Sequence, residues 1–172
     1  MNRTLSAVLL GFVLSIGNAF AATVGQPLAK VTIRDANDAP ASVPDLGNKV
    51  IALFINDPDA ADLNDPFADK LKAANLDKSV YRGVGIAILP DTMLPNSMIR
   101  AIIRKKIEKY NATILTDVDN TLNTAWGLGD TNGTSVVIVV DKQGVVRFQK
   151  KGAMTPAEIE STYQLVLQLM AQ

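Results

Sequence analysis

The sequence contains no cysteine and no histidine among its 172 residues. Cysteine is the nucleophile of thiol enzymes, and histidine is the usual general base and metal ligand at neutral pH. Their joint absence excludes a Cys-X-X-Cys redox pair, a Ser-His-Asp mechanism, and ordinary zinc, haem or iron–sulfur sites. Carboxylates, lysines, tyrosines and hydroxyls are left for any chemistry. We therefore expect no cofactor.

An excess of charge of either sign is also lacking, because 17 basic side chains balance 17 acidic ones. Proteins that bind nucleic acid usually carry a strongly basic surface. The balanced charge therefore predicts that nucleic acid is not a partner. No stretch is long and apolar enough to predict a comfortable membrane-spanning helix.

An apolar run is present near the N-terminus, at about residues 7–16, after the basic residue Arg3. It is followed by the small residues of Ala19-Phe20-Ala21. This is the layout of a secretory signal peptide that is cleaved before Ala22. We predict that everything before Ala22 is a leader, that residues 22–172 form one domain, and that the protein is periplasmic. An uncleaved anchor is the alternative.

Strands and helices are predicted to alternate along the rest of the chain. The apolar patterns predict strands at about 30–35, 50–55, 83–89, 112–117, 135–140 and 145–149, and helices at about 66–76, 97–110, 119–127 and 156–170. The strand at 135–140 has no polar face and should be central. Thr155 and Glu158 form a capping-box pattern before the last helix. This order predicts an α/β fold, a three-layer sandwich with a mixed central sheet and flanking helices.

Several stretches resemble the peroxiredoxin-like branch of the thioredoxin fold. They are "GQPLAKVTIRD", "LGNKVIALFI", "ILTDVDNTLNTAWGL" and "SVVIVVDKQGVVRFQKKGAMTPAEIE". The ending from Val139 to Glu160 is similar to that of the YtfJ family of small exported bacterial proteins. The resemblance covers nearly all of the mature chain, and it implies a thioredoxin-like fold.

The same resemblance implies where a redox site would lie. In redox-active relatives, the nucleophilic cysteine follows the first long strand and a cis-proline faces it. Asn56, Asp57 and Asp59 stand where the cysteine is expected, so thiol–disulfide exchange and cysteine-based peroxide reduction are excluded. The candidate ligand loop, with the residues at the proline position, comprises Asn56, Asp57, Asp59, Asp62, Thr134 and Ser135.

The acidic loop "NDPDAADLNDP" has three open interpretations. Asp57-Pro58 and Asp65-Pro66 each match a helix N-cap followed by proline. A weak Ca²⁺ or Mg²⁺ site is the second interpretation, although Asp62 stands where an EF-hand loop needs glycine. The third is a metal-assisted hydrolase that combines the loop with Asp117 and Asp119. We assign no metal ligand.

A basic surface is predicted on the helix "RAIIRKKIEKY". The residues expected on its outer face are Arg100, Arg104, Lys105, Lys106 and Lys109. Such a face is either simply solvated or docks on an acidic partner or anionic lipid headgroups. Together these observations predict an exported binding or adaptor module for an unknown protein or small molecule, without redox chemistry and with no membrane span after cleavage. The hydrolase is the alternative.

Overall fold

The computed structural model of the protein describes residues 22–172, so the predicted leader lies outside the described residues. Within that range the elements are β1 (Thr32–Arg34), β2 (Pro40–Ser42), β3 (Val50–Asn56), α1 (Asp65–Ala73), β4 (Tyr81–Ile88), α2 (Asn96–Tyr110), β5 (Ile114–Asp117), α3 (Thr121–Trp126), β6 (Ser135–Val140), β7 (Val146–Lys151) and α4 (Pro156–Ala171). Short 3₁₀ turns at Pro58–Ala60 and Leu89–Asp91 follow β3 and β4.

The strands form one mixed sheet in the order β2-β1-β5-β4-β3-β6-β7. β3, β4 and β5 are parallel, whereas β6 runs antiparallel to β3 and β1 runs antiparallel to β5. Parallel neighbours need crossover connections, and α1 and α2 provide them. The predicted α/β fold with a mixed sheet is confirmed. The carboxyl ends of β3, β4 and β5 share one edge of this sheet.

Helices cover both faces of the sheet. On one face, Phe67 of α1 and Val166 of α4 pack against Val137 of β6. On the other face, Trp126 of α3 packs in a larger core with Ile138 of β6. Neighbouring residues of a strand point to opposite faces, so β6 contributes to both cores. The three-layer arrangement is therefore set by strands that are apolar on both faces.

β6 is the most completely buried strand, since each residue from Ser135 to Val140 is buried. The lack of a polar face predicted this burial. The strand does not lie at the centre of the sheet, however, but between β3 and β7, next to an edge. α1 and α4 on one side and α3 on the other exclude water from it, so burial did not require a central place.

The helix ends follow the local backbone. α1 ends at Ala73, before the predicted end, because Asn75 adopts a left-handed conformation with a φ of 46°. α2 begins at Asn96, one residue before the predicted start, with Pro95 in the N-cap position. α4 begins as predicted, and Thr155 and Glu158 form the complete capping box.

The first described residues run along the rest of the domain. The Ala22 amide donates to the carbonyl of Trp126 at 2.7 Å, and the Gly25 amide donates to the carbonyl of Val146 at 2.8 Å. The Val146 amide in turn donates to the carbonyl of Gln26 at 2.9 Å. This segment therefore covers the start of the edge strand β7. None of the helices within residues 22–172 is both long and apolar enough to cross a membrane.

Candidate functional site

Asp57 follows β3 directly and fixes the start of the acidic loop. Its carboxylate is buried and accepts the amide of Asp59 at 2.8 Å and the amide of Gly133 at 2.6 Å. The Asp57 amide also donates to the carbonyl of Thr134 at 3.1 Å. The predicted cap at Asp57-Pro58 is confirmed, because the carboxylate caps the 3₁₀ turn that begins at Pro58. Both carboxylate oxygens therefore bind the protein's own backbone.

Asn64 fixes the other end of the loop, and the sequence analysis did not identify it. Its buried side-chain amide donates to Ser135 Oγ at 3.0 Å and to the carbonyl of Gly152 at 3.2 Å. Its side-chain oxygen accepts the amide of Met154 at 2.9 Å. One side chain thus joins the start of α1, the start of β6 and the segment before α4.

The predicted N-cap at Asp65 is wrong. Asp65 is the first residue of α1, and Asn64 occupies the N-cap position without a side-chain cap hydrogen bond. Asp65 is exposed, and partial burial of its carboxyl and the nearby charges of Asp69 and Asp62 raise its pKa. The Asp65-Pro66 sequence is compatible with a helix that has either Asn64 or Asp65 in the N-cap position. The contacts of Asn64 with Ser135, Gly152 and Met154 fix Asn64 there.

The residues of the candidate ligand loop separate into two groups. Asn56 and Ser135 are partners in the β3–β6 ladder, and Asp57 is bonded to Thr134 next to them. Asp59 and Asp62 are exposed instead. The fold therefore brings the residues of the cysteine and proline positions together at one edge of the sheet. There, the most buried polar side chains already have partners within the protein.

A second group of polar side chains lies beside this edge. Thr131 donates its hydroxyl to Asp91 Oδ2 at 2.6 Å and accepts the side-chain amide of Asn123 at 3.2 Å. These contacts join the turn after β4, helix α3 and the turn that holds Gly133. Their signal in the sequence is weak, since Thr, Asp and Asn are ordinary turn residues.

The carboxylates of the hydrolase hypothesis do not form one site. Asp117 is buried at the end of β5 and accepts the amides of Thr121 at 3.0 Å and Leu122 at 2.8 Å. Burial raises the pKa of this carboxyl, and its hydrogen bonds to backbone amides oppose that shift. Within residues 22–172, no three acidic side chains are placed to hold a metal ion. The arrangement does not support the hydrolase.

Two surface cavities lie away from the acidic loop, toward β1 and β2. The larger has a volume of about 270 Å³ and is lined by Lys30, Val31, Ser42, Val43, Asp45, Leu46 and Asn48. The smaller has a volume of about 140 Å³ and lies beside Arg34 and Asp119. Neither cavity contains a residue of the candidate ligand loop.

The predicted basic surface is only partly an outer face. Arg100 is half-buried and forms an ion pair with Asp38, and Arg104 donates to the carbonyl of Ala36 at 2.8 Å. These two arginines therefore attach α2 to the turn between β1 and β2. Arg104 is nevertheless exposed, as are Lys105, Lys106 and Lys109.

Comparison with known proteins identifies the family. The model of a family described as "bacterial protein of unknown function", YtfJ, matches residues 46–169. The chain belongs to the YtfJ family. An uncharacterized protein of Haemophilus influenzae is 27% identical over 109 residues, which is 62% of this chain and 58% of that protein. The match thus spans less than two thirds of that relative's length.

Solved structures show the fold of this YtfJ protein. A thiol-disulfide isomerase from Corynebacterium glutamicum matches it with a TM-score of 0.59 at 16% identity, over 84% of this chain and 94% of that chain. The exposed lipoprotein thioredoxin of Streptococcus pneumoniae matches with a TM-score of 0.57 at 16% identity, over 80% of this chain and 99% of that chain. The predicted thioredoxin-like fold is confirmed. The YtfJ protein has no cysteine and therefore shares the fold without thiol chemistry.

Proposed function

We propose that this YtfJ protein is an exported, non-catalytic binding or adaptor module built on the thioredoxin fold. The proposal is based on the hydrogen bonds of the Asp57 carboxylate, which stands at the expected cysteine position. Both of its carboxylate oxygens accept backbone amides, from Asp59 and Gly133. A general base needs an oxygen within reach of a substrate proton. At this edge the carboxylate instead holds two turns together.

The exposed side chains at the same edge of the sheet are the ones that can contact a partner. Asp59 and Asp62 project from a loop whose ends are fixed by the buried side chains of Asp57 and Asn64. A rigid loop loses little conformational entropy when a partner binds it. The edge beyond the carboxyl ends of parallel strands is also where α/β proteins commonly bind ligands.

Export is supported by the sequence of the first 21 residues, and it has a direct test. Mass spectrometry of the protein recovered from the periplasmic fraction should find a mature N-terminus at Ala22, because small residues flank that bond. An intact Met1 or Asn2 in all recovered protein would contradict cleavage before Ala22, and the absence of the protein from that fraction would contradict export. An Ala21→Arg variant should accumulate uncleaved and serves as the matched control.

The binding role is tested by photo-crosslinking in intact cells. A photoreactive residue is placed at Asp59 or at Asp62, and at exposed Val24 as the control. The proposal expects a discrete adduct from at least one loop position and none from position 24. Equal labelling at all three positions, or no adduct from the loop, contradicts it.

A further inference from the structure

Exposed apolar side chains cluster at the start of α2. Met93 in the preceding loop has a relative exposure of 102%, Met98 has 51% and Ile102 has 45%. Leu94, beside Met93, is exposed as well. Isolated exposed apolar side chains are ordinary, but a contiguous group of them marks an interaction surface.

The same face of α2 carries positive charge at its other end. Met98, Ile102, Lys105 and Lys109 are spaced by four, three and four residues, which places them on one stripe of a helix. At 1.5 Å per residue the stripe is about 16 Å long. We call the group Met93, Leu94, Met98, Ile102, Lys105 and Lys109 the α2 surface.

The lysines of the α2 surface are not used by the fold. Within residues 22–172 neither Lys105 nor Lys109 forms an ion pair. Lys109 is exposed, and its Nζ lies 5.0 Å from the ring centre of Tyr110. Glu108 is the only acidic residue in α2. The charge of Lys106, on the flank of the stripe, lowers the pKa of the Asp65 carboxyl, against the stronger effects that raise it.

We propose that the α2 surface docks the protein on an anionic lipid bilayer. Met93 and Leu94 would enter the boundary between headgroups and acyl chains, with Met98 and Ile102 at headgroup depth. Lys105 and Lys109 would bind lipid phosphates, since long lysine side chains can lie along an apolar surface and extend their ammonium groups to phosphate. The proposal rests on the proposed export, which would bring the chain to the membrane.

A bilayer fits this surface better than a protein partner. Met93 projects fully into water, so a protein would need a matching pocket to bury it, whereas a fluid bilayer needs none. Positive charge next to apolar side chains also complements a layer that is anionic at its surface and apolar below. The arginines that could select a carboxylate partner are engaged with Asp38 and the carbonyl of Ala36.

The test is sedimentation of the exported protein with lipid vesicles. The protein is recovered from the periplasmic fraction and mixed with vesicles of phosphatidylglycerol and phosphatidylcholine, or of phosphatidylcholine alone. Binding to the anionic vesicles should be at least about tenfold stronger and should weaken as salt is raised. Equal binding to both vesicles, or binding that salt does not change, overturns the proposal.

Matched variants distinguish binding through the α2 surface from non-specific binding to the vesicles. Met98→Ser/Ile102→Ser and Lys105→Glu/Lys109→Glu should each lose most of the binding to anionic vesicles, by about tenfold or more. The controls are Val24→Ser, which removes one exposed apolar side chain elsewhere, and Lys30→Glu/Lys78→Glu, which inverts two exposed charges elsewhere. They should bind as wild type does. Controls that lose as much binding as the α2 variants overturn the proposal.

Two other outcomes, docking on a protein partner and an uncleaved leader, can be told apart from the loss of lipid binding. If the anionic vesicles do not bind the protein but a photoreactive residue at Ile102 labels a protein in cells, the surface docks a protein partner and the lipid proposal is wrong. If mass spectrometry shows an uncleaved leader, the predicted cleavage before Ala22 is wrong, but comparing the α2 variants with their controls still tests the docking proposal because every protein carries the same N-terminus.

Discussion

The loop after β3 and the α2 surface use their side chains in opposite ways. In the loop, Asp57 and Asn64 are buried, and their polar atoms bind backbone or side-chain groups of the protein itself. On the α2 surface, apolar side chains remain in water and two lysines have no ion-pair partner within residues 22–172. The side chains of the first region stabilise the fold, whereas those of the second do not contribute to it and can contact another molecule. The residue at the expected cysteine position therefore stabilises the fold, so its position alone does not show which surface binds a partner.

The largest loss of stability is expected from a substitution in the core. Ile138 is fully buried in β6, so Ile138→Ala should lower the free energy of unfolding by about 2–5 kcal/mol. Urea denaturation measures the loss, and Ile138→Val, with an expected loss of about 0.5–1.5 kcal/mol, is the matched control. A loss below about 1 kcal/mol for Ile138→Ala would mean that β6 is less tightly packed than the structure shows.

The loop should respond next most strongly, through Asn64. Asn64→Ala removes the partner of the Met154 amide, Ser135 Oγ and the Gly152 carbonyl, and should cost about 2–4 kcal/mol because unsatisfied buried groups are expensive. The matched variant Asn64→Asp keeps an acceptor for Met154 but places a buried carboxylate oxygen against the Gly152 carbonyl, so it should not restore the stability of wild type. An Asn64→Ala protein as stable as wild type would show that water replaces these contacts freely.

Asp57 should matter somewhat less. Asp57→Asn keeps the size of the side chain but turns one acceptor toward Asp59 or Gly133 into a donor, at a cost of about 1–3 kcal/mol. Asp59→Asn makes the same change at an exposed position and should stay within about 0.5 kcal/mol of wild type. Thermal unfolding of the two variants checks the difference. Equal melting temperatures would remove the structural role assigned to Asp57.

Asp65, next to Asn64, should have little effect on stability. The capping pattern in the sequence predicts a loss of about 0.5–2 kcal/mol for Asp65→Ala. In the structure Asp65 caps nothing and lies near Asp62 and Asp69, so the expected change is within about 0.5 kcal/mol. Denaturation with Asn64→Ala measured in parallel distinguishes the two registers of the helix start. A larger loss at position 65 than at position 64 would restore the original cap assignment.

The smallest effect on stability is expected on the α2 surface. Met98→Ser and Ile102→Ser should each change the free energy of unfolding by no more than about 0.5 kcal/mol, because these side chains are about half exposed. Their neighbours Ile99 and Ile103 are buried on the other face of α2, and truncation there to alanine should cost about 2–5 kcal/mol. If the two faces respond alike, α2 packs differently and the contrast with the loop is lost.

Local patterns predicted most of the fold but little of the site. β6 and the start of α4 were predictable because a run of apolar residues and a capping box are patterns of residues close together in the sequence. The role of Asn64 depends on partners 71, 88 and 90 residues away in the chain, which no local pattern shows. Arg100 was assigned to an outer face for the same reason, since Asp38, which draws it inward, is 62 residues distant.

The hydrogen bond from Ala22 to the carbonyl of Trp126 bears on how the protein matures. If the leader is removed before Ala22, this amide nitrogen becomes a terminal ammonium group, with an ordinary pKa of about 7.7–8.0. It would lie at the carboxyl end of α3, where free carbonyls favour a positive charge. Cleavage would then place a positive charge beside the Trp126 carbonyl, a contact that the precursor lacks.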